Sequence, residues 1–197
     1  GSTANVEASG NVVLVDKTEP TAVTTFTSPA SPSNNSTPTW TWEASTDNGS
    51  PPSGIDHYDV QISYNQGPFV AASPSRTTGH TPEWTANAFA TDGSADGPYV
   101  IRVQAVDKAG NTSSWSVPSA IYKYDTTPPT TITDLDSSPS GQTNTSSGVS
   151  WIWTSGTDDF GVDHDELRWM RTSLSWELVK PASSPHDFGS VLDNNGS

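Results

Sequence analysis

Apolar residues at every second position mark one stretch of the chain more clearly than any other. From Tyr99 to Ala105 apolar side chains recur with a period of two, which is the period of a strand with one face in a core. Turn-forming residues follow from Asp107 to Asn111, and a second extended run from Ala120 to Tyr124 returns after them. The pattern predicts two paired strands with Trp115 in their connection.

Similar short runs occur throughout positions 16–124, and segments rich in Pro, Gly, Asn and Asp separate them. No window has the period of a long amphipathic helix. Seven short strands in roughly 110 residues is the spacing of an immunoglobulin-like or fibronectin type III β-sandwich. The predicted strands cover 22–27, 38–44, 56–64, 68–72, 82–86, 98–106 and 119–124.

Comparison of the chain with itself indicates a repeat. Residues 15–21 resemble residues 124–130, which places Asp16 and Asp125 109 positions apart. The Trp-Thr-Trp at 40–42 resembles the Trp-Ile-Trp at 151–153 at nearly the same offset. Several matching segments at nearly the same offset predict tandem units. The Pro-rich stretch after Asp125 is predicted to be a stiff joint between them.

The repeat also predicts where the units begin and end. Residues 1–15 match the last strand of a unit and are interpreted as the remnant of a preceding repeat. Residues 16–124 form one complete sandwich. Residues 125–197 are the N-terminal part of a second repeat, and they stop before counterparts of its final strands.

Composition restricts the setting and the partners. The hydrophobic fraction of 31% with eight Trp suits thin two-layer sandwiches, in which each strand buries alternate residues, and it argues against a disordered chain. A formal net charge of −14 repels nucleic acid and anionic membranes. The chain has no cysteine, which excludes disulfides and thiol chemistry. We expect neither nucleic acid binding nor membrane insertion.

Four features of the chain together resemble bacterial immunoglobulin-like and fibronectin type III repeats. They are the joint Asp-Thr-Thr-Pro-Pro at 125–129, the Trp strand, Thr-Asp-Asn-Gly at 46–49, and the strand that leads into Asp-Lys-Ala-Gly-Asn-Thr-Ser at 107–113. Such repeats occur in large secreted adhesins, in surface proteins and beside secreted polysaccharide-degrading domains. The resemblance implies an extracellular or bacterial cell-surface location. It also implies that neighbouring repeats are partners.

No motif for catalysis is present, so the chain is not expected to be an enzyme. The four histidines lie outside any nucleophile or metal motif, and no Gly-x-Ser-x-Gly elbow occurs. His57 and His164 occupy equivalent places in the two units, just before a strand, which favours a repeated structural role.

Calcium is the cofactor that the acidic residues suggest, against the alternative of solvated acidic loops. Ca²⁺ takes six to eight oxygens, and acidic side chains crowd into one loop of the second unit. A second possible site lies at the joint, where Asp107 and Asp125 could share an ion, with Asp16 as the equivalent of Asp125. The loop residues are Asp158, Asp159, Asp163, Asp165 and Glu166.

The tryptophans have two interpretations. Trp40 and Trp42 share one face of a strand, as do Trp151 and Trp153, and in this fold that face is usually the core. Trp169 and Trp176 are less constrained, and together they could form an exposed platform for a sugar ring.

Three functions follow as hypotheses. The first is a non-catalytic structural or adhesive module that acts as a stalk or spacer. The second is a module that binds a glycan or a host-surface protein through exposed Trp and loops. The third is an assembly subunit that self-associates by strand addition, in which residues 1–15 of a neighbouring chain complete the unit at 125–197.

Overall fold

The computed structural model describes residues 15–138, 150–169, 177–182 and 186–187. This part of the chain is all-β; it contains no helix, and therefore none that is long and apolar enough to cross a membrane. The chain divides into two compact units, Gly1–Thr126 and Thr127–Ser197. The predicted all-β fold class is confirmed.

The first unit has a strand at each of the seven predicted places. All strand pairs are antiparallel, and they form a three-stranded sheet of order β1-β2-β5 and a four-stranded sheet of order β4-β3-β6-β7. These two sheets make the predicted immunoglobulin-like or fibronectin type III sandwich. The strands are β1 (Phe26–Thr27), β2 (Thr39–Trp42), β3 (Ile55–Tyr64), β4 (Val70–Arg76), β5 (Glu83–Thr85), β6 (Gly97–Asp107) and β7 (Tyr122–Tyr124).

The central strand β6 alternates buried and half-buried residues over its whole length. It pairs with β3 from Ile55↔Asp107 to Tyr64↔Tyr99, so both ends of the two strands lie side by side. Its buried face packs on the three-stranded sheet, because alternate side chains of a strand point to the same side.

Aromatic rings fill the space between the sheets. Trp40 is fully buried, and its ring centroid lies 5.5 Å from that of Trp84 and 5.6 Å from that of Tyr122. Trp42 is also buried, and it meets Tyr58 edge-on at 5.2 Å. The assignment of Trp40 and Trp42 to the core is confirmed.

The connection between β6 and β7 differs from the predicted loop. Residues 113–119 run beside β6 and bond to it at every third residue: Ser113 to Ala105, Ser116 to Val103, and Ser119 to Ile101. Each serine donates its backbone N–H to the facing carbonyl and accepts the facing N–H on its Oγ. Side-chain oxygens therefore replace backbone carbonyls here, and β7 begins only at Tyr122.

Both edges of the four-stranded sheet are modified. The edge strand β4 contains Pro74, which has no N–H, and the charged Arg76. On the other edge, Ser33 bonds to β7 through Lys123 O at 3.0 Å and Asp125 N at 3.1 Å. Both features discourage pairing of these edges with another strand.

The second unit has its own two sheets in the described residues. β9 pairs with β8 and β12, and β10 pairs with β11. Trp153 is buried and Trp151 is half-buried. The strands are β8 (Thr133–Ser138), β9 (Ser150–Thr154), β10 (Asp165–Trp169), β11 (Glu177–Ala182) and β12 (His186–Asp187).

One local arrangement is the same in both units. Thr21 N donates to Thr46 O, and Thr46 N donates to the Thr21 hydroxyl. Thr130 and Thr157 make the same two bonds, at the positions that the predicted repeat aligns with Thr21 and Thr46. The proposed remnant at 1–15 lies outside the described residues except for Val15, so the tandem organisation stays a prediction.

Candidate metal site

Three carboxylates from distant parts of the sequence meet at one end of the first sandwich. Asp16 precedes the first strand, Asp47 lies in the connection between β2 and β3, and Asp107 ends β6. One oxygen from each lies within 4.8 Å of one from each of the others. We call this group the entry cluster, because it includes Asp16, the first residue of the predicted sandwich at 16–124.

Backbone N–H groups hold two of these carboxylates in place. Asp16 accepts from Thr18 N at 3.0 Å and from Ser53 N at 2.9 Å. Asp47 accepts from Gly49 N at 3.0 Å and from Gly54 N at 2.6 Å. The loop at 47–54 therefore orients two carboxylates at once.

The third carboxylate is fixed by the turn that follows β6. Asp107 accepts from Asn111 N and Asn111 Nδ2, both at 2.7 Å, and it is only 2% exposed. The Asn111 amide also donates to the backbone carbonyl of Asp16 at 3.3 Å. The turn after β6 thus joins Asp107 to the entering chain.

Glycine at position 49 lets the loop approach Asp16 closely. A Cβ on Gly49 would lie 2.5 Å from Asp16 Oδ1 and 2.7 Å from Oδ2, distances that real side chains do not reach. The Asp16 carboxylate therefore packs directly on the backbone of the loop that carries Asp47. A larger residue at position 49 would require the Asp16 carboxylate to move from this position.

Among the described residues no cationic side chain forms an ion pair with the entry cluster, although Lys108 Nζ would lie 3.7 Å from a Cβ on Gly54, whose N–H bonds to Asp47. The N–H groups of Thr18 and then Ser53 lower the pKa of Asp16, because they bond to its charged form. No Lys or Arg nitrogen among the described residues lies within 4.0 Å of Asp16, Asp47 or Asp107. Three like charges this close repel one another, and a cation between them would remove that repulsion.

The donor set fits a hard divalent cation. Carboxylate and backbone carbonyl oxygens are the ligands that Ca²⁺ prefers, whereas Zn²⁺ prefers imidazole and thiolate. Asp16, Asp47 and Asp107 would supply the first ligands, and the remaining positions of a six- to eight-coordinate ion would go to water or to neighbouring carbonyls. The Asn111 amide would keep Asp107 oriented from behind.

The pairing of Asp107 with Asp125 is wrong within this unit. Asp107 pairs with Ile55 at one end of β6, whereas Gly97, at the other end, pairs with Tyr124 next to Asp125. An eleven-residue strand spans roughly 35 Å, so one ion cannot contact both carboxylates. Asp107 instead joins Asp16, the residue that the repeat aligns with Asp125.

The acidic loop of the second unit has a different arrangement. No three carboxylates from Asp158 to Glu166 approach as closely as those of the entry cluster, although all of these residues are described. Asp158 accepts from Phe160 N, Asp163 contacts His164 at 2.7 Å, and Asp159 lies in the same turn.

Asp165 has a structural partner in the second unit. Its Oδ2 accepts from Trp153 Nε1 at 2.7 Å and from the Ser155 hydroxyl at 2.6 Å. The hydroxyl of Ser155, followed by the indole of Trp153, lowers the pKa of the Asp165 carboxyl. Asp165 thus satisfies a buried indole N–H, a role that acidic crowding in the sequence does not reveal.

The proposed sugar platform is not tested by the described residues. The backbone of Trp169 ends β10, and Trp176 lies outside the described residues. The platform stays a prediction. Asp47, by contrast, is a site residue that sequence reasoning assigned only to a turn. Its signal was its place in the repeat, because Asp158 occupies the aligned position.

Comparisons with known proteins add little to the geometry. No family model matches this chain, and no curated protein matches it. A solved structure of the chicken CNTN1 FN1–FN3 domains is similar at 16% identity and a TM-score of 0.42. The match covers 81% of this chain and 51% of that one, so this chain spans about half of its length. The strand order described above, not this likeness, establishes the fold.

Proposed function

We propose that this chain is a non-catalytic structural module that acts as a spacer in a longer array. One observation carries the proposal: the first and last residues of the predicted sandwich at 16–124 lie at opposite ends of β6. Asp16 lies beside Asp107 at one end of β6, and Tyr124 pairs with Gly97 at the other end. Units connected in this way extend an array with each copy.

The modified sheet edges support the same function. An array of sandwiches must avoid pairing between edges of neighbouring units. Pro74 and Arg76 on β4 and the cover of β7 by Ser33 both discourage such pairing. The strand-exchange hypothesis depends on residues 1–15, almost all outside the described residues, so it stays a prediction.

The setting that we propose is a bacterial extracellular or cell-surface protein of the adhesin type. The net charge of −14 and the resemblance to bacterial repeats support this setting. Neighbouring repeats would be the first partners, and a terminal domain of the array would do the binding.

We further propose that calcium stiffens the entry end of the unit. A cation held by Asp16, Asp47 and Asp107 would tie the entering chain to two loops of the sandwich. The direction in which the preceding segment leaves the unit would then be restricted. This is the mechanical property that a spacer needs.

The spacer proposal is tested by the length of arrays. Two, three and four copies of residues 15–126 joined in sequence should each add roughly 35 Å to the maximum dimension measured by small-angle X-ray scattering. A maximum dimension that grows much less per copy would show that the copies fold back on one another. That result would contradict the spacer function.

The calcium proposal is tested by melting the chain with Ca²⁺ and with a chelator. A cation that binds only the folded state, present at 100 times its Kd, adds about 2.7 kcal/mol and raises the melting temperature. Asp47→Asn should abolish this increase. Asp92→Asn removes one charge from the loop before β6, at the exit end, and should leave it intact. Equal melting with Ca²⁺ and chelator would refute the site.

A further inference from the structure

A stacked arginine crosses the outer face of the four-stranded sheet. The Arg102 guanidinium carbon lies 4.4 Å from the ring centroid of Phe69 and 5.0 Å from that of Trp115. Phe69 precedes β4, whereas Trp115 belongs to the serine-bonded segment on the far side of β6. The two rings therefore come from opposite sides of the sheet, and all three side chains are half-buried.

The guanidinium has a fixed orientation and free donors. Gln61 faces Arg102 across the β3–β6 pair, and its Oε1 accepts from Nε at 2.9 Å and from Nη2 at 2.7 Å. A guanidinium has five N–H donors. The other three, including both on Nη1, have no acceptor among the described residues.

Arg102 also has no anionic partner, although the chain is strongly acidic. Arg76 lies 3.8 Å from Asp59, and Arg168 lies 3.6 Å from Glu166. These two arginines are about 60% exposed, whereas Arg102 is half-buried and lies within 4.0 Å of no carboxylate in the described chain. Arg102 is thus the least accessible of these three arginines and also the one without a counter-charge. Burial of a charged group without a counter-charge ordinarily costs free energy.

We propose that Arg102 is the anchor of a binding site for a carboxylate-bearing glycan, that is, a uronic acid residue. The free Nη1 and Nη2 donors match the two oxygens of a carboxylate, which a guanidinium binds in a fork. Phe69 and Trp115 flank the guanidinium and offer ring surface to the C–H groups of a pyranose. This site is separate from the entry cluster, and the spacer function does not depend on it.

Polar groups around the fork favour a sugar over an acidic peptide. Gln61 and Gln104 lie on the same outer face, with Gln104 held by its bond to the Ser113 carbonyl. Their amides can bond to ring hydroxyls next to the carboxylate. An extended peptide would need a free sheet edge beside the arginine, but residues 113–119 already bond to β6 at that place.

The test uses the whole chain, labelled with ¹⁵N, and trigalacturonate as the probe. The Arg102 Nε–H and Trp115 Nε1–H signals should shift on titration, while neutral trigalactose and triglutamate should leave both unchanged. Arg102→Gln should weaken binding at least about tenfold. Arg102→Lys, which keeps the charge but loses the fork, should weaken it as well.

Arg76→Gln is the matched control, because it removes the same charge from the same sheet and should bind as the parent chain does. If Arg102→Gln lowers the melting temperature, the Arg102→Lys result decides. Equal shifts with trigalactose, binding retained in both Arg102 variants, or no shift with trigalacturonate would overturn the proposal. Shifts with triglutamate alone would show that the partner is an acidic peptide and would also overturn it.

Discussion

Tyr122 and Tyr124 lie two positions apart on β7, and both are fully buried, yet only one hydroxyl has a partner. Tyr122 Oη donates to the Asn35 carbonyl at 2.6 Å, whereas Tyr124 Oη has no partner in the described structure. We expect Tyr122→Phe to lower the free energy of unfolding by about 1 kcal/mol. Tyr124→Phe should be neutral or slightly stabilising, because it removes an unpaired buried hydroxyl. Urea unfolding of both variants measures this difference, and equal losses would contradict it.

Tyrosine burial also predicts sensitivity to alkali. Burial, with a smaller effect of nearby Tyr64, Tyr124 and Asp96, raises the pKa of Tyr99 to about 12. Burial also raises the pKa of Tyr122 and of Tyr124 above the ordinary value of 10.0. The folded state therefore holds these protons at pH values where the unfolded chain loses them.

The stability that these groups contribute is fully present below pH 10 and is lost as the pH rises towards 12. We expect the urea concentration at the midpoint of unfolding to fall across that range. The absorbance of tyrosinate in the folded chain should appear at a higher pH than in the unfolded chain. In Tyr99→Phe the fall should be smaller. A midpoint that stays constant to pH 12 would contradict the assignment.

The serine-bonded segment at 113–119 is an element with a testable cost. Ser116 is buried, and its Oγ accepts the N–H of Val103 at 3.0 Å. Ser116→Ala leaves that N–H without an acceptor, which costs about 1–3 kcal/mol. Ser114→Ala is the control, because Ser114 is exposed and should change stability by less than about 0.5 kcal/mol. A Ser116→Ala variant as stable as the control would show that water replaces the hydroxyl.

The same element shows why some of the fold was predictable and some was not. The strand β6 was evident because one face meets a core, so its apolar residues recur every second position. The segment beside it carries its information in serines at every third position, and serine is also common in turns and loops. Hydrophobic periodicity cannot separate these two uses of serine, so the sequence predicted a loop and a strand from residue 119.

At the scale of the whole molecule, the entry cluster depends on contacts between loops far apart in the sequence. Asp16, Asp47 and Asp107 come together because β3 begins where β6 ends, with Ile55 opposite Asp107, and the connection from β2 to β3 carries Asp47 to the same place. Charge density along the sequence favoured the loop from Asp158 to Glu166 instead. The number of acidic residues in a short stretch does not show whether their carboxylate oxygens converge, and a metal site requires that they do.

The first unit should fold without the rest of the chain. Among the described residues, every member of its buried cluster lies between Val23 and Tyr124, and residues 15–126 contain all of them. We expect this fragment to unfold in one cooperative transition, with a midpoint within about 3 °C of the corresponding transition in the whole chain. Differential scanning calorimetry of both proteins measures the two midpoints.

A fragment of residues 15–111 provides the control, because it lacks the serine-bonded segment and β7. Without them the core loses Tyr122 and Tyr124, and three N–H groups of β6 lose their serine acceptors. This shorter fragment should show no cooperative transition. If residues 15–126 also failed to unfold cooperatively, the unit would depend on its neighbours for stability. Such a unit could not serve as an independent spacer, and the proposed function would have to be abandoned.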